Sequence, residues 1–423
     1  MRLINMIFLS LFLTAVLVLA QPVKVEVIKT DGSYQLLRDG KPYFIKGAGG
    51  SRYLYRLAAY GGNSIRTWGT RGAENLLDQA NQLGLTVMMG LRVAPERHGF
   101  DYSDPAAVAG QLEACKREVL KYKDHPALLL WGIGNELDLQ YTNIQVWDAV
   151  QNIAKMIHEI DPNHPATTVT AGIDREEVRL IKEKCPDIDI LTVNTYGGLP
   201  PLPRQIREYG WEGAYIVGEW GPTGHWEVQK TEWNTPIEET SSQKAAVYKH
   251  RYEAAIKKDT ERCIGSYVFL WGQKQERTPT WYGVFLESGE ESEVVDVIHY
   301  LWSGAWPQNR APHIDYVRIG DKEAAGSVYL NADEIYKASA RVSDPDNDKL
   351  IFRWEIMPES TDLKSGGDRE SKPDVIPGLV KSLNGMDVFF RAPEKQGAYR
   401  LFIYVYDDNN NAATGNIPFY VNE

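Results

Sequence analysis

The sequence predicts an α/β protein: a (β/α)8 TIM barrel followed by a smaller immunoglobulin-like β-sandwich. Three observations carry this. Eight short apolar runs alternate with amphipathic stretches over roughly 260 residues, the size and rhythm of a closed parallel barrel. Eleven of the twelve tryptophans lie before residue 307. Beyond residue 312 the helical period disappears, and apolar residues alternate or run in short strands between turn residues.

At 423 residues the chain is too long for one core, which fits the two-domain division. With 43% apolar and 24% charged residues it has the composition of a globular protein. Its net charge of −11 would be repelled by nucleic acid and by an anionic membrane surface, whereas a neutral polymer is indifferent to it.

Residues 1–20 read as a signal peptide: Arg2, then an apolar run from Ile7 to Leu19, then small residues before Gln21. The run is shorter than the ~20 residues a membrane span needs, so export to the periplasm or medium is expected, with no span in the mature chain. Residues 21–41 read as an N-terminal β-hairpin, Val23–Ile28 and Tyr34–Leu37 joined at Asp31-Gly32, with Asp39-Gly40 leading into the barrel.

The barrel is placed at 42–305. Its expected strands are Tyr43–Lys46, Ser64–Thr67, Thr86–Met89, Leu128–Trp131, Thr168–Thr170, Ile188–Val193, Tyr215–Val217 and Tyr267–Leu270. Helical patterns fall at Ala73–Leu83, Ala106–Tyr122, Ile144–Ile160, Glu176–Lys184, Ser242–Lys258 and Glu293–Trp302. An open doubly wound sheet fits less well, because Gly47-Ala-Gly-Gly50 lacks the spacing of a nucleotide-binding turn. Residues 306–313, a proline-bounded polar stretch, read as a linker. The sandwich occupies 314–423, with strands at Val328–Leu330, Tyr336–Val342, Leu350–Ile356, Val388–Arg391 and Tyr399–Tyr406. This region is similar to the immunoglobulin-like and PKD-like modules of secreted bacterial enzymes. Asp344-Pro-Asp-Asn-Asp348 reads as a solvated turn, with Ca²⁺ binding the alternative.

Barrel chemistry is carried at the C-terminal ends of the strands. After the fourth run comes Trp131-Gly-Ile-Gly-Asn135-Glu136, and after the seventh Gly218-Glu219-Trp220. Asn-Glu by itself is weak, since it recurs at Asn422-Glu423. The position of Glu136 at a strand mouth, with Glu219 three strand–helix units later, is the stronger signal. Strands four and seven lie nearly opposite each other, so two carboxylates there can flank one glycosidic bond. Arg66 ends the second run, Tyr196 follows the sixth, and Trp271 ends the eighth. In the mouth loops, Trp226 and Trp281 are the preferred platforms for the apolar faces of sugars; Trp220, Trp233, Tyr282, Phe100 and Tyr102 are further aromatics there. His225, Glu227, Glu96 and Glu276 are binding candidates only.

These segments resemble the large clan of retaining glycoside hydrolases with (β/α)8 barrels and catalytic glutamates on strands four and seven. The resemblance covers roughly residues 40–305. It implies that Glu136 is the acid/base, that Asn135 bonds the sugar 2-hydroxyl, and that Glu219 is the nucleophile held by Tyr196 and Arg66. It also implies that Trp271 lies under the reacting sugar. Many cellulase-type relatives carry a histidine where this chain has Asn194, which turns the reading towards β-1,3-glucan-active relatives. The barrel with its C-terminal module is most similar to bacterial endo-β-1,3-glucanases of glycoside hydrolase family 158. Fungal β-1,3-glucanosyltransferases are similar in the strand-two and strand-six segments.

By that resemblance Glu219 attacks the anomeric carbon while protonated Glu136 donates to the leaving oxygen, and water reverses the step. Glu136 should then titrate above the ~4.3 of a free glutamate, raised by the nearby Glu219 charge. No cofactor or metal is implied: the eight histidines are scattered, and Cys115, Cys185 and Cys263 have neither metal-ligand nor disulfide-framework spacing. The partner expected is a polysaccharide or oligosaccharide, acted on by a monomer. A transglycosylase, an inactive carbohydrate-binding protein and an adhesive module are the competing readings.

Overall fold

The structure is a computed structural model and describes residues 22–381 and 385–423. The expected signal peptide lies outside the described residues. The chain begins with β1 (Val25–Thr30), β2 (Ser33–Arg38) and β3 (Lys41–Pro42), an antiparallel three-stranded sheet. Val25 and Leu36 are buried with Ile45, Met88, Leu129 and Ile216 from the barrel interior. The hairpin therefore closes one end of the barrel with its own apolar face.

The eight barrel strands are β4 (Ile45–Gly49), β5 (Ser64–Arg66), β6 (Thr86–Leu91), β7 (Leu128–Ile133), β8 (Ala166–Ala171), β9 (Ile190–Asn194), β10 (Ala214–Trp220) and β11 (Cys263–Val268). They pair in parallel and in sequence order, and β11 pairs with β4 to close the sheet. Continuous burial along β6, β7 and β10 explains why these strands are apolar runs: both faces are covered. Around them lie α1 (Leu54–Ala59), α2 (Ala73–Gln82), α3 (Pro105–Tyr122), α4 (Gln145–Ile160), α5 (Arg175–Lys184), α6 (Leu202–Glu208), α7 (Ser241–Arg251) and α8 (Glu293–Ser303). The helix starts follow capping chemistry. Asp104 accepts from Ala106 and Ala107 N–H with Pro105 at the first helical position, Asp174 accepts from Glu177 N–H, and Thr240 with Gln243 forms a capping box.

The sandwich comprises β12 (His313–Ile319), β13 (Val328–Asn331), β14 (Ile335–Ser343), β15 (Ile351–Pro358), β16 (Asp387–Arg391), β17 (Gly397–Tyr406) and β18 (Ala412–Asn422). One sheet orders β12-β14-β16 and the other β13-β18-β17-β15. Trp354 is buried between them with Ile314, Phe390, Ile403 and Phe419. The Asp344–Asp348 segment is a turn whose Asp344 Oδ1 accepts from the N–H groups of Asp346 and Asp348, both at 2.9 Å. Asp348 Oδ2 accepts from Asn309 Nδ2 at 2.5 Å, which ties the linker to the sandwich.

The two domains share a buried polar seam. Glu238 is nine-tenths or more buried and accepts from Lys244 Nζ (2.5 Å), Thr278 Oγ1 (2.6 Å) and Asn416 Nδ2 of β18 (2.7 Å). Arg400 of β17 reaches the Pro236 carbonyl at 3.0 Å, and Ser241 Oγ accepts from Thr414 N–H at 2.9 Å. A buried charge is tolerated only when paired and bonded in this way. The sandwich is thus fixed on the barrel face that carries the loops after β10 and β11. No helix among the described residues is long and apolar enough to cross a membrane.

Candidate active site

Glu219 occupies the penultimate position of β10 and is 6% exposed. Three donors converge on its carboxylate. Arg66 Nη1 (3.2 Å) and Trp68 Nε1 (2.8 Å) donate to Oε1, and Tyr196 Oη donates to Oε2 at 3.0 Å. Gly218 makes room for this. A Cβ there would lie 2.7 Å from Asn194 Oδ1 and 3.1 Å from Arg66 Nη1, so any side chain would push into the network.

Arg66 is 1% exposed, and its other bonds run to Asn194 Oδ1 (2.9 Å), the Gly218 carbonyl (2.7 Å) and Asn135 Oδ1 (2.6 Å). Its planar fork holds three strand ends in one arrangement.

Glu136 follows β7 in the left-handed region, at φ 51°, with its N–H bonded to the Val169 carbonyl at 2.9 Å. Such a conformation costs a non-glycine residue roughly 1 kcal/mol or more and persists where the surroundings over-determine it. Here it turns the side chain inward, where Asn194 Nδ2 donates to Oε1 at 2.9 Å. Burial, and next the charge of Glu219, raise the Glu136 carboxyl to about 7. The two glutamates are joined through Asn194 and Arg66, one as an accessible, readily protonated acid and the other as an anchored carboxylate.

Both glutamates open onto one cleft of about 1480 Å³. Trp226, 56% exposed, stands over it edge-on to Tyr196 at 5.5 Å. Tyr196 is itself nearly buried, and burial pushes its hydroxyl well above the ordinary tyrosine value, so it acts as a donor. Trp68 and Phe269 meet at right angles, 5.8 Å apart, at the floor.

Two expected platforms are corrected. Trp271 is 1% exposed and lies outside the cleft, packed at 5.0 Å on Phe285 and 5.9 Å on Trp302. The reason is register: β11 ends at Val268, so Phe269 and Leu270 reach the cleft and Trp271 turns back, its N–H bonded to the Gly49 carbonyl. Trp281 is likewise 1% exposed, with Nε1 donating to the Thr223 carbonyl at 3.0 Å. Trp220 is a core residue, and so is Tyr102, whose Oη is taken by the Ala94 carbonyl; Phe100 packs beside it. Trp233 lines the cleft but rests on Tyr329 and Tyr420 of the sandwich.

Among the polar candidates, Glu96 points away from the cleft and binds the N–H groups of Thr142 and Asn143. Glu227 lines the cleft and accepts from Gly197 and Gly224 N–H at 2.9 Å, which fixes the loop bearing Trp226. His225 lies between Tyr282 Oη (2.9 Å) and Arg277 Nη2 (3.0 Å); burial and the Arg277 charge lower it to about 4, so it accepts from Arg277 as a neutral ring. Glu276 is buried against Lys274 at 2.7 Å, with its carboxyl raised by that burial.

Sequence reasoning missed Trp68 and the direct part played by Asn194. Trp68 stands two residues after Arg66, so continued strand alternation puts it on the same face. Asn194 was legible only as a departure from a family pattern.

Residues 63–209 match the sequence model of the TIM barrel domain of glycosyl hydrolases family 2. That stretch holds Arg66, Asn135, Glu136, Asn194 and Tyr196; Glu219 lies beyond it. Similar solved structures include a β-glucuronidase of Bacteroides uniformis (15% identity, 94% of this chain and 48% of that one, TM-score 0.53). A β-glucuronidase of Bifidobacterium dentium, solved with coumarin-3-O-glucuronide, matches at 19% identity over 67% of this chain and 49% of that one, TM-score 0.53. A structure described as a putative β-galactosidase of Bacteroides fragilis matches at 13% identity over 94% and 57%, TM-score 0.51. The chain spans about half the length of these structures. It therefore shares its TIM-barrel fold with chains longer than itself, and the family 2 barrel model matches residues 63–209 of it.

Proposed function

We propose that the protein is a retaining glycosidase acting on a β-glucan, an endo-β-1,3-glucanase on laminarin-type polymers. The observation that carries the reaction type is the asymmetry of the two glutamates. Glu219 has three donors fixing its oxygens, as a nucleophile must be held; Glu136 has one, and its carboxyl is raised to about 7, as a general acid requires.

In the first step Glu219 attacks the anomeric carbon and Glu136 gives its proton to the leaving oxygen. In the second, ionised Glu136 takes a proton from water as the glycosyl–Glu219 bond breaks. Asn135, its Oδ1 held by Arg66, has its amide N–H groups for the 2-hydroxyl. Trp226 offers an apolar face to a pyranose ring.

The substrate class rests on separate features of the sequence and the cleft. Asn194 in place of histidine, and the sequence likeness to family 158, favour a β-1,3-glucan. An open cleft favours an internal bond of a polymer. On its outer wall, Lys274 pairs with Glu276 (2.7 Å) and Arg277 with Glu370 (3.3 Å), which suits a neutral sugar more than a uronate. Export is a further part of this proposal, resting on the sequence of residues 1–20, and would accord with a substrate too large to enter a cell.

The test is product release from laminarin, curdlan, lichenan, cellulose, mannan and xylan, with aryl β-glucuronide and β-galactoside beside them. Oligosaccharides from laminarin are expected. Release from lichenan or cellulose alone discards the 1,3-linkage. Release from mannan, xylan, the glucuronide or the galactoside alone discards the glucan and keeps the mechanism, and no release from any discards the glycosidase reading. With the cleaved substrate, kcat/KM should fall as pH rises through about 7, because the active form of Glu136 is protonated and titrates there. A rate still climbing at pH 8 contradicts Glu136 as the acid.

A further inference from the structure

We infer that the sandwich supplies a sugar-binding subsite: the segment following β15, residues 359–368, forms the outer wall of the cleft, with Leu363 as its apolar platform. The inference rests on the glycosidase reading and adds to it the element that recognises the chain beyond the scissile bond.

Glu359, Ser360 and residues 363–368 line the same cleft as Glu136 and Glu219. They are not draped there loosely. Glu370, 4% exposed, accepts from Lys364 N–H (3.0 Å) within the segment and from Arg277 N–H (2.6 Å) across the domain boundary. Lys274 Nζ donates to the Gly367 carbonyl at 2.6 Å, and His98 Nε2 meets Asp368 Oδ2 at 2.9 Å. At its base, buried Arg400 holds Glu359 through two bonds of 2.9 and 3.1 Å. Gly366 sits at φ 60°, where a Cβ would come within 2.8 Å of the Arg97 guanidinium; Arg97 in turn donates to the Glu136 carbonyl at 3.1 Å. The segment is therefore keyed to the loop that carries the acid/base.

A brace would need only those bonds. Leu363 is 54% exposed at the lip of a polar wall, and no bracing bond involves it. An apolar side chain held out by a loop braced through Glu370, Lys274 and His98 fits the C–H face of a pyranose ring, while Lys364 and Ser365 beside it can bond hydroxyls. The ligand class is a neutral hexose unit of the same chain, distal to the bond being cut.

The test compares kcat/KM on oligosaccharides of increasing length, drawn from whichever glycan the wild type cleaves. Wild type should gain with length. In Leu363→Ala, the ratio of the longest to the shortest substrate should fall about tenfold, the order expected for losing a leucine contact. Leu363→Trp should keep or raise that ratio. The side chain is exposed, so both variants should match the wild-type melting curve. A wild type with no length dependence, or an Ala variant with an unchanged ratio, overturns the subsite while leaving the catalytic pair standing. A wild type that cleaves neither glycans nor aryl glycosides overturns the glycosidase reading and this inference with it.

Discussion

Glu219→Gln should lower kcat by about 10⁴- to 10⁶-fold, the order seen when a covalent nucleophile is removed from an otherwise intact site. The substitution is nearly isosteric and the local bonds can survive it. Trp68 Nε1 and Arg66 Nη1 both donate to Oε1, which a glutamine oxygen can still accept, and Tyr196 Oη can rotate to accept from the new amide. Substrate binding and the melting temperature should therefore change little while turnover collapses. The same variant should lower the titration of Glu136, because the Glu219 charge is one of the two main causes that raise it. Burial, the larger cause, remains, so the carboxyl should still titrate above an ordinary glutamate. A variant that retains a tenth of wild-type activity contradicts Glu219 as the nucleophile.

Glu136→Gln should behave differently, and the difference distinguishes the roles. Loss of general acid and base catalysis costs about 10²- to 10⁴-fold with a sugar leaving group. A dinitrophenyl leaving group needs no proton, so its first step should stay fast and give a burst of phenolate followed by slow turnover. Azide, which attacks without a base, should restore turnover and yield a β-glycosyl azide. Equal losses on sugar and dinitrophenyl substrates, with no azide effect, would contradict the acid/base role.

The barrel was legible because parallel strands buried on both faces leave uninterrupted apolar runs, as Leu128–Ile133 does. Five of its six expected helices match within a residue or two; Ser242–Lys258 ends early as an α-helix at Arg251 and continues as a π-turn. α1 and α6 went unseen. Each is under two turns long, and prolines at 201 and 203 punctuate the start of α6, so neither shows a full helical period. β12 was missed because it begins at His313, inside the stretch expected as linker, and β18 because it contains Gly415, Asn416 and Pro418, which read as turn residues but sit in a strand paired with β17 from Ala412 to Val421.

The site shows the same division. Glu136, Glu219, Arg66 and Tyr196 were found because each stands at or just past a strand end, a position that sequence can mark. Trp271 and Trp281 were misjudged because aromatic residues near a strand end look alike whether they face the cleft or the helical shell. Only a few residues of register separate Phe269, which reaches the floor, from Trp271, which does not. The 359–368 wall had no signal at all. It comes from the other domain, and its placement depends on Glu370 finding Arg277 across a separation no local pattern encodes.

The central claim is that Glu219 forms a covalent bond to the sugar. A 2-deoxy-2-fluoro β-glycoside with a dinitrophenyl leaving group, built on the sugar that the enzyme cleaves, slows both steps but slows the second more, so the intermediate should accumulate. Intact-mass analysis should then show one fluoroglycosyl unit per chain, and peptide mapping should place it on Glu219. A label on Glu136, or no adduct from an enzyme whose first product has inverted configuration, would contradict the account.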